Sequence, residues 1–187
     1  MKMSGKKIAL IVALGTIGFM WLADEYPALR FRGDGRFSGG PVFGYWIRFR
    51  RIPFYVPGEY IFHFRGMPKE EMNLQLYVEG KSYTNEAELT HLATTIEARF
   101  VDQNGHMVCE AVGSPSVRSG KIDDDNPKGW VTMLSSDEAA YWNGHCLRLP
   151  LKPSDSYTLT IRIGDIDSKT PKVNLIPTLE GGQLDLR

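Results

Sequence analysis

The chain has no excess of charge of either sign, because 22 lysines and arginines balance 22 aspartates and glutamates. A basic surface that binds nucleic acid is therefore not indicated. Cysteine is scarce, and two cysteines in 187 residues exclude a disulfide-rich scaffold. No nucleophile elbow, zinc-protease helix, phosphate-binding loop or dinucleotide fingerprint occurs in the sequence. We therefore predict no catalytic residue, no cofactor and no metal site, and expect a non-enzymatic protein.

Charge is missing altogether from one stretch, residues 8–23, which forms a continuous apolar run. Asp24 and Glu25 follow this run directly. The residues before it include three lysines, Lys2, Lys6 and Lys7. Positive charge is retained on the cytoplasmic side of a membrane helix. The pattern therefore predicts a single-pass inner-membrane anchor, with residues 1–7 in the cytoplasm and the rest of the chain in the periplasm.

A cleaved signal peptide is the alternative interpretation of the apolar run, and it would leave the domain secreted or periplasmic. Cleavage favours small residues at the last and third-last positions. A cut after Ala23 would place Trp21 in the third-last position, and a cut after Ala28 would place Glu25 there. Because neither site is suitable, we favour an anchor that is retained.

Residues 24–40 are rich in arginine and glycine, which predicts a linker between the anchor and a domain over residues 41–187. Three arginines of this segment, Arg30, Arg32 and Arg36, would lie close to the bilayer. We predict that they contact anionic lipid headgroups, each contributing about 1 kcal/mol. The alternative is that they lie on the solvated face of a first strand.

Short runs that alternate apolar and polar residues make up most of the chain after the linker. They cover 45–50, 59–65, 74–79, 94–101, 106–112, 145–151, 156–163 and 172–179. Asn104-Gly105 between two such runs predicts a hairpin, because both residues tolerate positive φ. Only 84–92 and a turn within 135–142 have helical character. The pattern predicts an all-β fold, an antiparallel sandwich of about seven to nine strands with one or two short helices.

The two cysteines, Cys109 and Cys146, each lie in a predicted strand, and we expect a disulfide bond between them in an oxidising compartment. Such a bond would close a loop of roughly 38 residues and contribute about 4 kcal/mol. A metal site with His106 and His145 is the alternative, but strand alternation places the members of each His–Cys pair on opposite faces. His63 has no partner at a recognisable spacing.

Three aromatic residues, Trp130, Tyr141 and Trp142, flank a long loop that contains the acidic run 123–125. We predict that these aromatics contact a ligand or a partner protein, with burial in the core as the alternative. The acidic run lacks the alternate spacing and central glycine of a calcium-binding loop. It therefore predicts a solvated loop.

Three segments resemble parts of small bacterial envelope proteins that join an N-terminal anchor or lipidated signal to a β-sandwich. They are the opening strands with Pro57-Gly-Glu-Tyr60, the Asn104-Gly105 hairpin, and Leu149 to Ile163. Some proteins of that kind look like immunity factors that neutralise a toxin delivered into the periplasm, although this chain lacks the lipobox cysteine of their lipoprotein versions.

The predicted export signal, the single small domain and the lack of a catalytic constellation favour a protein that binds another protein. Our first hypothesis is accordingly a membrane-tethered periplasmic domain with a protein partner, such as an immunity factor. A carbohydrate- or cell-wall-binding module that uses exposed aromatic residues is the alternative. An enzyme with dispersed active-site residues is the third hypothesis, because catalytic groups are often far apart in sequence.

Overall fold

The computed structural model describes residues 27–40, 44–79, 94–114, 130–134, 140–143, 146–166 and 168–182, with only the backbone described for 131–134 and 140–143. The predicted anchor at 8–23, the predicted helix at 84–92 and the acidic run at 123–125 lie outside these residues. Within the described ranges, no helix combines the length and apolar character needed to cross a bilayer.

Strands make up nearly all of the regular structure in the described residues, accompanied by one 3-10 turn at Pro27–Leu29. In chain order the strands are β1 (Arg32–Gly33), β2 (Arg36–Gly40), β3 (Gly44–Arg48), β4 (Ile52–Pro53), β5 (Gly58–Arg65), β6 (Met72–Glu79), β7 (Thr95–Asp102), β8 (Met107–Gly113), β9 (Val131–Leu134), β10 (Ala140–Asn143), β11 (Ser156–Gly164) and β12 (Asn174–Gly181). The all-β class predicted from the alternating runs is confirmed.

The strands form two antiparallel sheets. Sheet A has the order β1-β5-β11-β7-β8, and sheet B has the order β2-β3-β12-β6-β10-β9, with β4 also paired to β12. The chain crosses between the sheets several times, for example from β5 in sheet A to β6 in sheet B and from β11 in sheet A to β12 in sheet B. This exchange couples the two sheets and is typical of a sandwich.

Aromatic rings fill the space between the two sheets. Phe49, which follows β3 of sheet B, lies 4.9 Å from the ring of Phe62 and 5.1 Å from that of Phe64, both on β5 of sheet A. On sheet A, Phe64 and Tyr157 each contact the ring of Phe100. The inner faces of the sheets therefore share one core, and the polar positions of each strand remain on the outer faces.

The predicted hairpin at Asn104-Gly105 is confirmed, because it joins β7 to β8 and Gly105 has a φ of 79°. The carboxylate of Asp102 organises this turn. Its Oδ1 accepts the backbone N–H groups of Asn104 at 2.8 Å and His106 at 2.9 Å, and its Oδ2 lies 3.2 Å from the His106 ring. The backbone N–H of His106 is the main reason that the pKa of Asp102 lies below its usual range.

We expect the Asp102→Asn variant to show a weaker loss of stability in acid than the parent protein. Because the pKa of Asp102 is lower in the folded state, the carboxylate stabilises the fold above its unfolded pKa of about 4 and loses this effect as the pH falls through the folded value. Urea unfolding between pH 6 and pH 3 measures the effect, with Asp155→Asn as the control. Parallel losses in the parent protein and Asp102→Asn would contradict the assignment.

The structure differs from the sequence predictions at three places. The described part of the predicted linker contains β1 and β2, which belong to sheets A and B respectively. The helical turn predicted within 135–142 is wrong for 140–142, because β10 pairs with both β6 and β9 and this pairing overrides the local capping pattern. Of the strand predicted at 145–151, the described residues 146–151 form only a bridge between Leu149 and Met72.

Candidate functional site

A pocket of about 490 Å³ opens on the outer face of sheet B. It lies where β6 and the end of β12 meet the segment 146–149. Its lining residues are Glu71, Asn73, Gln75, Arg148, Glu180, Gly181 and Gly182, and we call it the polar pocket. All seven were missed by the sequence prediction, which selected aromatic residues.

Strand alternation explains why polar side chains collect here. On β6, Leu74 and Leu76 are fully buried in the core, so the intervening Asn73 and Gln75 lie on the outer face. The β6–β12 register places Asn73 directly opposite Glu180. The polar pocket is therefore built from the outward positions of two central strands, which hold these side chains on a rigid support.

Neighbouring hydroxyl groups orient the side chains of this face. The Tyr77 O–H donates a hydrogen bond to Glu180 Oε2 at 2.9 Å. Thr178, which lies opposite Gln75, donates its own O–H to the Ile176 carbonyl at 3.2 Å. The Glu180 carboxylate is thus held by one oxygen, and its other oxygen can accept a hydrogen bond from a ligand.

The segment 146–149 forms one wall of the polar pocket and is held along β6 by backbone hydrogen bonds. Leu74 N–H donates to the Cys146 carbonyl at 2.8 Å, and Leu149 N–H donates to the Met72 carbonyl at 2.8 Å. Between these contacts Arg148 N–H donates to Asn73 Oδ1 at 2.8 Å. The wall is therefore fixed to β6 at three points.

Arg148 adopts a left-handed conformation within this wall, with a φ of 53°. For a residue other than glycine this conformation costs on the order of 1 kcal/mol, and it persists only where surrounding contacts hold it. The Arg148 side chain is exposed and borders the polar pocket. Strain of this kind is often found at binding sites, because it orients a side chain for a task other than packing.

A disulfide bond ties the same wall to the other sheet. The sulfur atoms of Cys109 on β8 and Cys146 lie 2.07 Å apart, which agrees with the predicted pairing. Because β8 belongs to sheet A, the bond connects an edge of that sheet to the wall beside sheet B. Among the described residues, no group of three or more histidine, cysteine or acidic side chains is arranged to hold a metal ion.

Two glycines shape the end of β12 at the polar pocket. A Cβ at Gly181 would collide with the Glu71 carbonyl oxygen, so the backbones approach more closely than a side chain would allow. Gly182 has a φ of +69°, and a Cβ there would lie 2.6 Å from the Tyr45 ring. In the sequence, the consecutive glycines after the last alternating run were the available signal for this close approach.

Gln75 is the most informative residue of the polar pocket. Its side chain lines the pocket but is only 8% exposed. Its Oε1 is buried and accepts no hydrogen bond from any residue that the structure describes. A buried polar atom without a partner costs about 1–3 kcal/mol. Rotation of the Gln75 amide toward the pocket that this residue lines would bring Oε1 to a bound donor.

Of the predicted binding aromatics, Trp130 is a core residue. Its side chain is fully buried, and its indole N–H donates to the Ile96 carbonyl at 3.0 Å, so its prediction as an exposed binding residue is wrong. Tyr141 and Trp142 lie on β10, opposite Tyr77 and Leu76 of β6. The side chains of these two residues lie outside the described part of the structure.

The three arginines predicted to lie near the membrane have separate environments. Arg30 is half-buried and donates to the Met67 carbonyl at 2.9 Å. Arg32 donates through Nη1 to the carbonyls of Leu29 and Phe31. Arg36 lies at an exposed position of β2. Two of the three thus help to fix the first described turn of the chain, and lipid contact stays a prediction.

Comparison with known proteins gives no family for this chain. No protein-family model matches it, and no curated protein matches it.

Proposed function

We propose that this chain is a non-enzymatic binding protein and that its polar pocket binds a carbohydrate. The observation that carries the proposal is the buried Gln75 Oε1, an acceptor that lacks a donor among the described residues. A sugar hydroxyl supplies such a donor. The proposal retains the carbohydrate-binding hypothesis drawn from the sequence but assigns it to different residues.

The balance of hydrogen-bonding groups supports this ligand class. Glu71, Glu180 and Gln75 offer acceptor oxygens, whereas Asn73 and Arg148 offer N–H donors. Adjacent sugar hydroxyls each donate and accept, so they match a pocket that contains both kinds of group. A mainly apolar ligand would leave these groups without partners, at a cost in affinity.

An aromatic side chain extends the same face of sheet B. Trp46 on β3 is half-buried and lies directly opposite Glu180 of β12. Cross-strand neighbours share a face of the sheet, so the indole lies next to the polar pocket. Its apolar surface is suited to pack against the C–H groups of a sugar ring. The predicted anchor would place this face in the periplasm, where cell-wall glycans are present.

Calorimetric titration of the full chain tests the proposal. The protein is kept in a detergent without a sugar headgroup and is titrated with soluble tetrasaccharides of glucose and of N-acetylglucosamine. We expect saturable binding of at least one glycan, weakened about tenfold or more in Gln75→Leu and Glu180→Gln. Glu59→Gln, an exposed change on sheet A, is the control. Absence of binding across the panel, or equal affinity in all variants, would contradict the proposal.

In the absence of ligand, the Gln75→Leu variant tests whether the buried Gln75 Oε1 destabilises the folded protein. We expect it to raise the free energy of unfolding by about 1 kcal/mol, because it removes a buried oxygen that has no described partner. Thr178→Val is the matched control on the opposite strand. It should lower the free energy of unfolding by about 1 kcal/mol, since it removes a buried hydroxyl that is hydrogen-bonded. Urea unfolding followed by tryptophan fluorescence measures both changes, and the same sign for the two would refute the prediction.

A second candidate function, binding of a partner protein such as a toxin, is favoured by the turn between β4 and β5. Tyr55 and Val56 are adjacent there, and each is 40% exposed. The Tyr60 O–H donates to the Val56 carbonyl at 3.4 Å, which ties the turn to the start of β5. An apolar tip of this kind is suited to enter a pocket on another protein.

In-cell crosslinking tests this second function. A photo-reactive residue replaces Tyr55 in the full chain, and the same residue at the exposed Lys172 is the control. We expect a discrete crosslinked protein from position 55 alone. Identical products from both positions, or none from position 55, would count against a partner at this turn.

A further inference from the structure

A second pocket, of about 350 Å³, lies on the outer face of sheet A. It is found at the sheet edge formed by β1, next to β5 and β11. The polar residues that matter for its chemistry are Arg32, His63, Arg65, Gln103, Ser156 and Thr158. We call it the basic cleft. It belongs to the opposite sheet from the polar pocket.

Two arginines face each other across the basic cleft. The register of β1 and β5 places Arg32 directly opposite Arg65, and both side chains are exposed. Like charges at directly opposed positions of a sheet destabilise the pair. Neither guanidinium forms an ion pair with a carboxylate among the described residues. The arrangement is therefore one that an anion, bound between the two arginines, would stabilise.

Hydroxyl and imidazole groups complete this surface. Ser156 lies opposite Arg65 on β11, and Thr158 lies opposite His63. The His63 Nδ1 is 3.1 Å from Thr158 Oγ1, so these two side chains are hydrogen-bonded to each other. The Ser156 hydroxyl can donate a hydrogen bond to an anionic oxygen, and the Thr158 hydroxyl can do so when His63 Nδ1–H donates to its oxygen. Two guanidinium groups and two hydroxyls match the several oxygens of a phosphate group.

The floor of the basic cleft is rigidly built. A Cβ at Gly33, where φ is +114°, would collide with the His63 carbonyl oxygen, so β1 lies unusually close to β5. Asp34 lies beside the cleft, but its Oδ2 accepts the His63 backbone N–H at 2.7 Å. That acidic group is thus used to hold the two strands together. Arg32 Nη1 already donates to the carbonyls of Leu29 and Phe31. The other N–H groups of Arg32 and the Arg65 guanidinium remain available to a ligand.

We propose that the basic cleft is a binding site for a phosphate group, either that of a lipid headgroup or that of a soluble phosphate compound. Arg32 and Arg65 bind the phosphate oxygens, while Ser156 and Thr158 donate from the neighbouring strand. Arg32 is one of the arginines predicted to lie near the membrane. The cleft brings it next to Arg65 and Ser156, which lie more than 30 and more than 120 positions further along the chain.

A titration with inorganic phosphate tests the site. The full chain is kept in a detergent without a phosphate headgroup, at constant ionic strength, and the His63 ring signals are followed by NMR. We expect a saturable shift whose midpoint rises about tenfold or more in Arg65→Gln and in Arg32→Gln. Lys172→Gln, which removes an exposed positive charge outside the cleft, should leave the midpoint unchanged. Circular dichroism confirms that each variant is folded.

Lipid discs separate the two sources of phosphate. The full chain is placed in discs of phosphatidylcholine alone or of phosphatidylcholine with phosphatidylglycerol, and the phosphate titration is repeated. Competition by the anionic lipid identifies a headgroup as the occupant, whereas an unchanged midpoint identifies a soluble phosphate. The proposal is overturned if the parent protein responds to neither probe, or if Arg65→Gln and Lys172→Gln respond alike.

Discussion

Replacement of Phe64 by alanine is expected to lower the free energy of unfolding by about 3–5 kcal/mol, the usual cost of removing a buried aromatic ring. Phe64 is only 3% exposed and lies at the centre of the core. Its ring centroid lies within 6.5 Å of four other rings, those of Phe31, Phe49, Phe100 and Tyr157. These rings come from both sheets, so the cavity would weaken the contact between them.

Urea unfolding of the full chain measures this effect. The control is Ile61→Ala on the same strand, because Ile61 is 39% exposed on the outer face of β5. We expect the control to cost less than about 1 kcal/mol, since little apolar area is buried at that position. Similar losses for the two variants would show that the core is not centred on Phe64.

Replacement of both Cys109 and Cys146 by alanine is expected to lower the free energy of unfolding by about 4 kcal/mol, because the unfolded chain regains the entropy of an open loop. The change should also weaken ligand binding at the polar pocket. Cys146 begins the wall that holds Arg148 against Asn73, and the bond to β8 limits the movement of that wall.

Chemical reduction of the parent protein provides an independent measurement of the same bond. Reduced protein and the double alanine variant should unfold at similar urea concentrations, both below the oxidised protein. The phosphate response of the basic cleft should be unchanged in both forms, because neither Cys109 nor Cys146 is among the residues proposed to bind phosphate. Equal stability of the oxidised and reduced forms would contradict a stabilising role for the disulfide.

The parts of the fold that could be predicted from the sequence are those governed by local pattern. The alternation in residues 59–65 and 156–163 corresponds to β5 and β11, and Asn104-Gly105 forms the expected hairpin. In each case a short stretch of sequence determines which face of a strand is apolar. Pairing of the two cysteines was also predictable, since only one partner was available to each.

Neither pocket could be predicted, because each depends on long-range strand register. Asn73 and Glu180 are separated by more than 100 positions yet lie opposite each other, and Arg32 meets Arg65 across β1 and β5. The sequence also does not reveal which aromatic residues are buried in the core. Trp130 follows a polar loop in the sequence, but its indole N–H finds a backbone acceptor inside the core, which permits complete burial.

The central position of β12 has a consequence for how this protein is made. It is the last described strand along the chain, yet in sheet B it pairs with β3 and β4 on one side and β6 on the other. Synthesis from the N-terminus therefore produces β3 and β6 long before the strand that joins them. Until β12 emerges, both have unpaired edges, and an exported chain would gain a complete sheet B only after translocation of residues 174–181.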